Sequence, residues 1–475
     1  MSSSDFKIHN TISGKKEKFL PLKKGRVNLF VCGPTVYDFS HIGHAKTYVV
    51  FDAFAKYLRK IGFKVFYLQN ITDLDDKIIA EARNKGVLPK NLALVFEKEY
   101  LKEMKNLGIN SVTKYARATN YIKEMINQIE RLLKNGYAYK LEDGIYYDIS
   151  KFKNYGKLSG RTLLEAEDGV SRIDYSKDKK NRGDFCLWKL KQDAAEPSWQ
   201  SPFGEGRPGW HIEDTAITEK FFGSQYDIHG GSRDLMFPHH EAEISQMEAI
   251  SGKKPFVKYW MHTGFLTISG QKMGKSFKNF ITISDFLKRH TFQQLRFLIL
   301  KNLWSSPIDY SESSMIEVKS ALEKIEEFLR KINEFKIKNV SLKADDKIIS
   351  KKFEKAKIDF YKELSDDFNT SKAFAVVFNF IKEANKVFEA SSISKNLAKK
   401  IYTFFEEINQ ILGIIDFKKT KKFKMPSEVK KLIKNREKYR KEQNWQKADE
   451  VRMEIEKFGY LVEDKKEGQS IKKIW

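Results

Sequence analysis

Cysteine is scarce in this chain of 475 residues, occurring twice, at Cys32 and Cys186, far apart in the sequence. Disulfide frameworks are dense in cysteine, so two cysteines far apart argue against one and predict a reducing cytoplasm. The N-terminal stretch, MSSSDFKIHN, has no apolar core of signal-peptide length. No window approaches the roughly 18 apolar residues that a membrane helix needs. We therefore expect a cytoplasmic protein with no membrane partner.

Familiar nucleotide and metal motifs are missing as well. No Walker loop and no GxGxxG fingerprint stands at the first strand-helix turn, so P-loop and dinucleotide-binding proteins lose their main support. The stretch around His239 does not read HExxH, which makes a zinc-protease interpretation weak. We find no internal repeat.

Positive charge is abundant. Lys and Arg total 87 against 63 Asp and Glu, which gives a formal net charge of +24. This balance favours a polyanionic partner, either a nucleic acid or an anionic membrane surface, although codon usage that enriches Lys, Ile and Asn would give the same composition. The chain is too long for one hydrophobic core, so we expect roughly two to four domains.

The first part of the chain alternates strand and helix patterns. A buried strand is predicted over 25–32, a helix over about 43–60 and a second strand from Lys64, followed by another helical stretch, IIAEARNKG. This order predicts an α/β fold with a parallel, Rossmann-like sheet and crossover helices.

The remaining chain divides by composition. Short strands and turn residues mark an insertion at about 120–205, and helical spacing dominates from about 312. We expect a catalytic domain over 1–310, which includes that insertion and a loop region at about 265–310. A helical bundle over 311–415, a Lys-rich linker over 416–425 and a small basic unit over 426–475 follow.

A paired-histidine turn lies just after the first strand, in FVCGPTVYDFSHIGHAKTYVVFD (30–52). His41 and His44 are three residues apart at a helix start, so both project from one side of the first turn, and Gly43 leaves the backbone open to a ligand. A helix N-terminus at the carboxyl edge of a sheet suits phosphate, and two imidazoles there can donate hydrogen bonds to a triphosphate. The alternative is a pair of surface histidines.

A lysine-rich loop, SGQKMGKSFKN (269–279), is the second candidate. Lys272 and Lys275 flank Met273 and Gly274, and two ammonium groups on a mobile loop can close over phosphates. The alternative is an ordinary basic turn. Together, H-I-G-H after a first strand and K-M-x-K-S much later resemble the signature pair of class I aminoacyl-tRNA synthetases.

Longer motifs narrow the resemblance. The chain resembles the cysteinyl-tRNA synthetase family over nearly its full length, on the motifs CGPTVYD, NITDLDDK, GRPGWHIE, DIHGG, DLMFPHHE, YWMHTGF, DDFNT and NWQKADEVR. The resemblance implies a zinc ion in the amino-acid pocket, with ligands that fall on Cys32, Asp214, His239 and Glu243. Pro238 is predicted in the first turn of a helix, so that His239 and Glu243 share one face and His240 points away from it.

Two positions depart from the family pattern. Where the family has W-H-I-E-C, this chain has Asp214 in place of the second zinc cysteine, which keeps the charge but supplies a harder oxygen ligand. A site without zinc therefore stays open as an alternative. Where the family has K-M-S-K-S, this chain has Gly274, so one hydroxyl donor is lost and flexibility is gained.

A metal explains how the pocket would select cysteine. A small apolar contact separates cysteine from serine, alanine or valine by only about 1–3 kcal/mol, whereas a zinc–thiolate bond has no equivalent with a hydroxyl or methyl group. The family's other site residues carry over to this chain by motif. The implied ATP-binding residues are Pro34, Thr35, His41, Gly43, His44, Lys272, Lys275 and Ser276, and the implied cysteine-binding residues are Gly33, Thr35, Thr72, Trp210, His229 and Asp234.

The resemblance also implies a tRNA partner. The helical region resembles the family's tRNA-binding bundle, and the C-terminal unit resembles its anticodon-reading module, in which unstacked bases meet aromatic or Arg planes. The matching positions are Arg440, Trp445, Asp449 and Asp464. The alternative for this unit is a solvated charged helix.

The expected activity is a two-step ligation for protein synthesis: ATP and Mg²⁺ activate L-cysteine to cysteinyl-adenylate, and a monomer transfers it to the terminal adenosine of tRNA(Cys). His41, His44, Lys272 and Lys275 would be catalytic. Two rivals remain open. One is a related ligase that joins cysteine to an amino-sugar thiol precursor, and the other is an inactive tRNA-binding paralogue.

Overall fold

The computed structural model describes residues 5–161, 178–193, 196–273, 279–337, 344–388, 393–420, 426–465 and 468–473. It divides into two compact units, Met1–Phe417 and Lys418–Trp475. The predicted linker at 416–425 spans the point of division, and its residues 421–425 lie outside the described residues.

The first unit contains both strands and helices. Its strands are β1 (Lys7–Asn10), β2 (Lys15–Lys18), β3 (Arg26–Val31), β4 (Lys64–Ile71), β5 (Lys114–Arg117), β6 (Ala138–Lys140), β7 (Gly144–Tyr147), β8 (Phe185–Leu190), β9 (Gly206–Pro208), β10 (Tyr226–Ser232), β11 (Val257–Thr263), β12 (Leu266–Ile268), β13 (Gln271–Lys272) and β14 (Ile308–Tyr310). Its helices are α1 (Ile42–Lys60), α2 (Asp76–Lys85), α3 (Pro89–Asn106), α4 (Ile122–Lys134), α5 (Ile212–Phe222), α6 (Glu241–Ser251), α7 (Ile283–Arg289), α8 (Phe292–Leu300), α9 (Glu312–Ile337), α10 (Ala344–Ser365), α11 (Thr370–Phe388) and α12 (Lys395–Leu412).

A parallel sheet organises the first unit. In the described chain its strands run in the order β11–β10–β3–β4–β5, and every neighbouring pair is parallel. The chain leaves β3 towards β4 on one side and returns as β10 on the other. Ligands of such sheets bind at this switch of direction, outside the carboxyl ends of the strands. The α/β fold with a Rossmann-like sheet is therefore confirmed.

Alternate side chains of the central strands enter different cores, because successive residues of a strand face opposite sides of the sheet. On β3, Leu29 and Val31 join a cluster that extends through α1 and the helical region. Phe30 and Cys32 join a second cluster that extends under β7 and β8. Cys32 thus ends the central strand on the side of the sheet that faces the insertion.

The predicted insertion at about 120–205 combines α4 with an antiparallel sheet in the order β6–β7–β8–β9. Residues 162–177 and 194–195 of this segment lie outside the described residues. The sheet presents Tyr147, Phe185 and Trp188 to the second core.

Helices follow from Glu312, as the periodic pattern predicts. The spaced residues Leu322, Ile325, Leu329 and Ile332 are all buried, because three-four spacing places them on one face of α9. None of the described helices combines the length and apolar composition needed to span a bilayer.

The second unit contains two helices and a hairpin, which are α13 (Ser427–Lys441), α14 (Trp445–Lys457), β15 (Tyr460–Lys465) and β16 (Gly468–Lys473). Val429, Ile455, Tyr460 and Val462 form its small core. The strands pair in antiparallel fashion, with Asp464 opposite Gln469.

Candidate active site and metal centre

A cavity of about 480 Å³ opens at the carboxyl edge of the parallel sheet. The segment after β3 forms one wall of it, and the start of α1 forms another. Its lining includes, among other residues, Cys32, Gly33, Pro34, Thr35, His41, Gly43, His44, Thr72, Trp210, Asp214, Asp234, His239 and Met273. Residues that the sequence analysis assigned to ATP binding, cysteine binding and metal binding therefore line the same cavity.

The histidine turn caps α1. His41 is the N-cap residue, and its Nδ1 accepts a hydrogen bond from the backbone N–H of His44 at 3.3 Å. In return, Nδ1 of His44 accepts from the backbone N–H of His41 at 3.4 Å. Because both Nδ1 atoms act as acceptors, each neutral ring carries its proton on Nε2. Both rings therefore have an Nε2–H group to donate.

Burial keeps these rings neutral. Desolvation lowers the pKa of His41 to about 4 and that of His44 to about 3, and for His44 the charges of His41 and Lys77 lower it further. The ring centroids stack at 3.7 Å, a distance that two imidazolium ions would oppose. A Cβ on Gly43 would lie 2.7 Å from Nδ1 of His41, so the small residue is needed for this stacking.

The lysine loop is only partly described. Met273 lies beside the cavity, and β13 ends at Lys272, whose side chain lies outside the described set. Gly274, Lys275 and Ser276 also lie outside the described residues. The roles assigned to Lys272, Lys275 and Ser276 stay predictions.

Four side chains converge at the deep end of the cavity. Cys32, Asp214, His239 and Glu243 offer ligand atoms that all lie within 4.8 Å of one another. Sγ of Cys32 lies 3.3 Å from Asp214 Oδ2, and Nε2 of His239 lies 3.0 Å from the same oxygen. All four side chains are buried. The structure thus brings together the ligand set that the sequence implied.

The prediction for His240 is wrong. The stretch Met236–His240 forms a π-type turn in which Phe237 has non-helical backbone angles, and α6 begins only at Glu241. His240 therefore does not follow the helical spacing assumed for it. Its Nε2 lies 3.0 Å from Sγ of Cys32, so the ring points towards the ligand cluster and not away from it.

The cluster of Cys32, Asp214, His239 and Glu243 concentrates buried acidic groups, as a site for a metal cation does. Burial, and then the charges of Asp214 and Glu243, raise the pKa of the Cys32 thiol well above its usual value. Burial and the neighbouring Asp214 also raise the pKa of Glu243. Among the described residues, Oδ1 of Asp214 and both oxygens of Glu243 have no hydrogen-bond partner. Buried acids without donors are costly unless a cation pairs with them, so this donor set fits a metal ion.

Aromatic rings hold the histidines in place. Trp210 stacks on His239 with centroids 4.3 Å apart and planes inclined by 13°. Trp260 stacks in the same way on His229, at 4.3 Å and 21°. Trp210 thus forms one wall of the cavity, as expected from the sequence.

Gly33 and Thr72, two further residues of the predicted cysteine pocket, are held by hydrogen bonds. The backbone N–H of Gly33 donates to Asn70 Oδ1 at 2.5 Å, and the Thr72 hydroxyl donates to Glu213 Oε2 at 2.9 Å. Burial, and then the charge of Asp214, raise the pKa of Glu213 well above its usual value. Asp234 is exposed at the rim of the cavity.

The pair Gly230–Gly231, which follows His229 on β10, does not leave the backbone open to a ligand. A Cβ on Gly230 would lie 2.3 Å from the Phe51 ring, and one on Gly231 would lie 2.8 Å from the His240 ring. The missing side chains make room for Phe51 and His240. His229 itself lies behind the cavity wall, with Nε2 at 3.4 Å from Sγ of Cys32.

Sequence reasoning missed three supporting residues, His211, His262 and Glu213. Nδ1 of His211 lies 2.9 Å from Nδ1 of His239, and Nε2 of His262 lies 2.8 Å from Nδ1 of His240. The chain has nine histidines. Their scarcity, together with their position inside the long motifs, was a signal that more of them belong to the site.

The predicted anticodon residues lie in the second unit, in two different settings. Asp464 accepts hydrogen bonds from buried Arg436 at 3.0 and 3.1 Å and also pairs with Arg440. Trp445, at the start of α14, is 58% exposed, and Asp449 lies on an exposed part of the same helix. Asp464 thus holds Arg440, while Trp445 presents an open ring to solvent.

Fold and site together define a class I aminoacyl-tRNA synthetase, and comparison with known proteins agrees. Residues 18–320 match the model described as "tRNA synthetases class I (C) catalytic domain", 359–416 the "DALR domain" and 424–471 the "Cysteinyl-tRNA ligase anticodon binding domain". Methionyl-tRNA synthetase of Mycobacterium tuberculosis has the same fold at a TM-score of 0.61, with 14% identity and coverage of 81% of this chain and 89% of that one.

Close relatives specify the family. The chain is 44% identical over 464 residues to a "Cysteine--tRNA ligase" of Thermoplasma volcanium, covering 96% of this chain and 98% of that one. It is 42% identical over 481 residues to a protein of the same name from Methanococcus maripaludis, covering 98% and 99%. The chain belongs to the cysteine–tRNA ligase family.

Proposed function

We propose that this chain activates L-cysteine with ATP to give cysteinyl-adenylate and then transfers the cysteinyl group to the 3′-terminal adenosine of tRNA(Cys). The observation that carries the proposal is the shared cavity. The capped histidine turn lines it, and so do Cys32, Asp214 and His239 of the buried cluster of sulfur, nitrogen and oxygen donors. A cysteine held by its side chain at the deep end would have its carboxylate towards the nucleotide.

The nucleotide end belongs to His41 and His44. Their neutral rings offer Nε2–H donors, and the helix dipole adds a partial positive charge at the N-terminus of α1. Pro34, Thr35 and Gly43 would border the ATP, and Lys272, Lys275 and Ser276 would close over its phosphates. The cysteine carboxylate attacks the α-phosphorus, the bond to the β-phosphate oxygen breaks, and pyrophosphate leaves. Mg²⁺ would accompany ATP.

The deep end belongs to Cys32, Asp214, His239 and Glu243, which would hold one Zn²⁺. Zinc bound there would supply a Lewis acid that prefers the thiolate of cysteine to the hydroxyl of serine. Gly33, Thr35, Thr72 and Trp210 would enclose the substrate side chain and ammonium group, with His229 behind them and Asp234 at the rim.

The tRNA side belongs to the helical region and the second unit. The helices from 311 to 415 would contact the tRNA, and the net charge of +24 suits its backbone. Arg440, Trp445, Asp449 and Asp464 would meet the anticodon. The terminal hydroxyl of the tRNA, the 2′-hydroxyl by family resemblance, attacks the cysteinyl carbonyl and releases AMP. We expect a cytoplasmic monomer.

Cysteine-dependent ATP–pyrophosphate exchange tests the first step. The wild-type chain should exchange with L-cysteine and not with L-serine, and His44→Asn should lower the rate by about 10²-fold or more, the typical effect of removing a transition-state donor. His290→Asn, at the end of α7 and outside the cavity, is the matched control. A wild-type chain that shows no exchange would support the inactive tRNA-binding alternative.

Transfer is tested separately by charging a tRNA(Cys) transcript. Formation of cysteinyl-tRNA supports the proposal, whereas transfer only to a small amine would favour the amino-sugar ligase. The "Cysteinyl-tRNA ligase anticodon binding domain" match over 424–471 favours the tRNA ligase.

Elemental analysis of wild-type, Asp214→Cys and Asp214→Ala proteins tests the metal, with one zinc per wild-type chain expected. Absence of zinc from a wild-type chain that still rejects serine would contradict the metal account of selectivity.

A further inference from the structure

The pocket around Cys32 holds more potential ligands than one ion needs. Within the described chain, two groups of donors meet the distance requirement, and they share Cys32 and Glu243. An outer pair, Asp214 and His239, completes the first group. An inner pair, His229 and His240, completes the second. A zinc ion in a protein takes four ligands in most closed sites, so the two groups compete for the same ion.

The inner pair is oriented as metal-bound histidines are. Nε2 of His240 lies 3.0 Å from Sγ of Cys32, and Nε2 of His229 lies 3.4 Å from the same atom. On their far sides, Nδ1 of His240 contacts His262 at 2.8 Å and Nδ1 of His229 contacts the Tyr226 hydroxyl at 2.6 Å. Histidine ligands nearly always have the second nitrogen held in this way.

The hydrogen bonds of the inner pair allow each Nε2 atom to be free of a proton, as metal binding requires. If Nδ1 of His240 donates to His262, then Nδ1 of His262 donates onward to the Thr11 hydroxyl at 2.9 Å. Nε2 of His240 is then left without a proton, as a ligand must be. Nδ1 of His229 pairs with the Tyr226 hydroxyl at 2.6 Å, and when Nδ1 is the donor there, Nε2 of His229 likewise carries no proton.

Glu243 faces both positions. Its Oε1 lies 3.3 Å from Nε2 of His239. In each of the two groups, Glu243 offers an oxygen within 4.8 Å of the other ligand atoms. Among the described residues, neither oxygen has a hydrogen-bond partner. A carboxylate without donors that lies between the two pairs can follow an ion from one position to the other.

The positions differ in access to the cavity. Cys32, Asp214 and His239 are part of the cavity wall, whereas His229, His240 and Glu243 lie behind it and are each 0% exposed. An ion in the outer group faces the substrate, and an ion in the inner group is enclosed by protein. We infer that the pocket binds its metal in two alternative positions, an inner resting position on Cys32, His229, His240 and Glu243 and an outer working position on Cys32, Asp214, His239 and Glu243. This inference rests on the proposed zinc-dependent function.

Ligand chemistry favours the inner position before substrate arrives. The outer group offers one sulfur, one nitrogen and two oxygens, and the inner group offers one sulfur, two nitrogens and one oxygen. Imidazole suits zinc better than carboxylate does, which favours the inner group. A substrate thiolate in the cavity would add a second sulfur to the outer group alone. Asp214, a residue that weakens the outer group, thus makes occupation of the outer position depend on cysteine.

X-ray absorption at the zinc edge of the wild-type holoenzyme tests this without any substitution. The substrate-free protein should show one sulfur and two imidazoles around zinc. Addition of L-cysteine should change the shell to two sulfurs and one imidazole, and L-serine should leave it unchanged. A substrate-free shell with one imidazole and two carboxylate oxygens would overturn the inference.

A matched pair of variants gives a second readout. In substrate-free protein, His240→Gln should weaken Co²⁺ binding by at least about 10-fold and alter its visible spectrum, because it removes an inner ligand. His239→Gln should leave the substrate-free spectrum unchanged but abolish the change that L-cysteine induces. The opposite result, with His239→Gln altering the substrate-free spectrum and His240→Gln leaving it intact, would overturn the inference.

The two proposals fail in different ways. Zinc found only in the outer shell overturns the two-position inference and leaves the proposed function standing. A wild-type protein that binds neither zinc nor Co²⁺ overturns the inference together with the metal part of the proposed function. Cysteine-dependent exchange in that metal-free protein would show that activation itself survives.

Discussion

Arg296 and Asp52 form an ion pair at 2.8 Å in which both side chains are fully buried. Asp52 lies in α1, the helix that begins at the histidine turn, and Arg296 lies in α8. Arg296 also donates from Nε to the backbone carbonyl of Leu412, the last residue of α12, at 2.7 Å. One guanidinium therefore links the helix that carries His41 and His44 to the helical region of the same unit.

Breaking this pair should be costly. Arg296→Met removes one of two cations from Asp52, which keeps Lys56 at 2.7 Å, so we expect a loss of about 3 kcal/mol, the lower end of the range for breaking a buried pair. Denaturant unfolding measures the loss. The control is Arg289→Met, whose partner Glu312 is 62% exposed and which should cost less than about 1 kcal/mol. Equal stability of the two variants would contradict a structural role for the buried pair.

The histidine turn predicts a pH dependence of stability. The pKa of His44 is lowered to about 3 in the folded chain and returns to about 6.5 on unfolding, so between these values the unfolded chain binds the extra proton. Stability that is present above about pH 6.5 should be lost as the pH falls towards 3. Thermal midpoints at several pH values should show a shallower decline for His44→Asn than for wild type. Parallel declines in the two proteins would contradict this.

Lys46 should position the hairpin of β12 and β13, which ends at Lys272. Its side chain is 1% exposed and donates to the backbone carbonyls of Phe265, at 3.2 Å, and Ser306, where the chain enters β12 and β14. Burial lowers the pKa of Lys46 to about 7, so charged and neutral forms coexist at neutral pH and each hydrogen bond contributes about 0.5–3 kcal/mol. We therefore expect Lys46→Met to raise the KM for ATP in pyrophosphate exchange about 10-fold, with partial rescue in Lys46→Arg.

Lys60→Met is the control for that experiment, since Lys60 lies at the far end of α1 and is partly exposed. A Lys46→Met protein with the same KM for ATP as Lys60→Met would show that the hairpin does not depend on this lysine.

Trp445 should contribute to tRNA affinity through stacking. An exposed aromatic ring at a helix start offers a face to an unstacked base, and such contacts are worth about 1–3 kcal/mol, or about 5–150-fold in Kd. Trp445→Ala should weaken binding of tRNA(Cys) within that range. Met453→Ala, on the same helix and 57% exposed, removes a comparable apolar side chain and serves as the control. Indistinguishable tRNA affinities would exclude stacking on Trp445.

Local patterns in the sequence predicted much of the fold and the site. Strand and helix periods placed Cys32 at the end of a central strand and His41 and His44 on one turn, because these depend only on neighbours along the chain. The long motifs, through their resemblance to the cysteinyl-tRNA synthetase family, identified Asp214, His239 and Glu243 as candidate metal ligands. These residues converge in the structure.

What the sequence could not supply depends on contacts between distant segments. His262 reaches His240 because β10 and β11 pair with Gly231 opposite His262, a register that neither strand encodes alone. His240 was misplaced because the turn before α6 is not α-helical. The contact between Arg436 and Asp464 likewise depends on the fold, because only the hairpin brings the two residues together.

The two glycines of β10 bear on any attempt to redesign the amino acid that this protein accepts. Phe51 and His240 already fill the space where side chains at Gly230 and Gly231 would stand. Combinatorial libraries that vary this strand would collapse the pocket instead of reshaping it. Room for a bulkier or non-natural amino acid must be made elsewhere, at Trp210 and Thr72, which line the cavity.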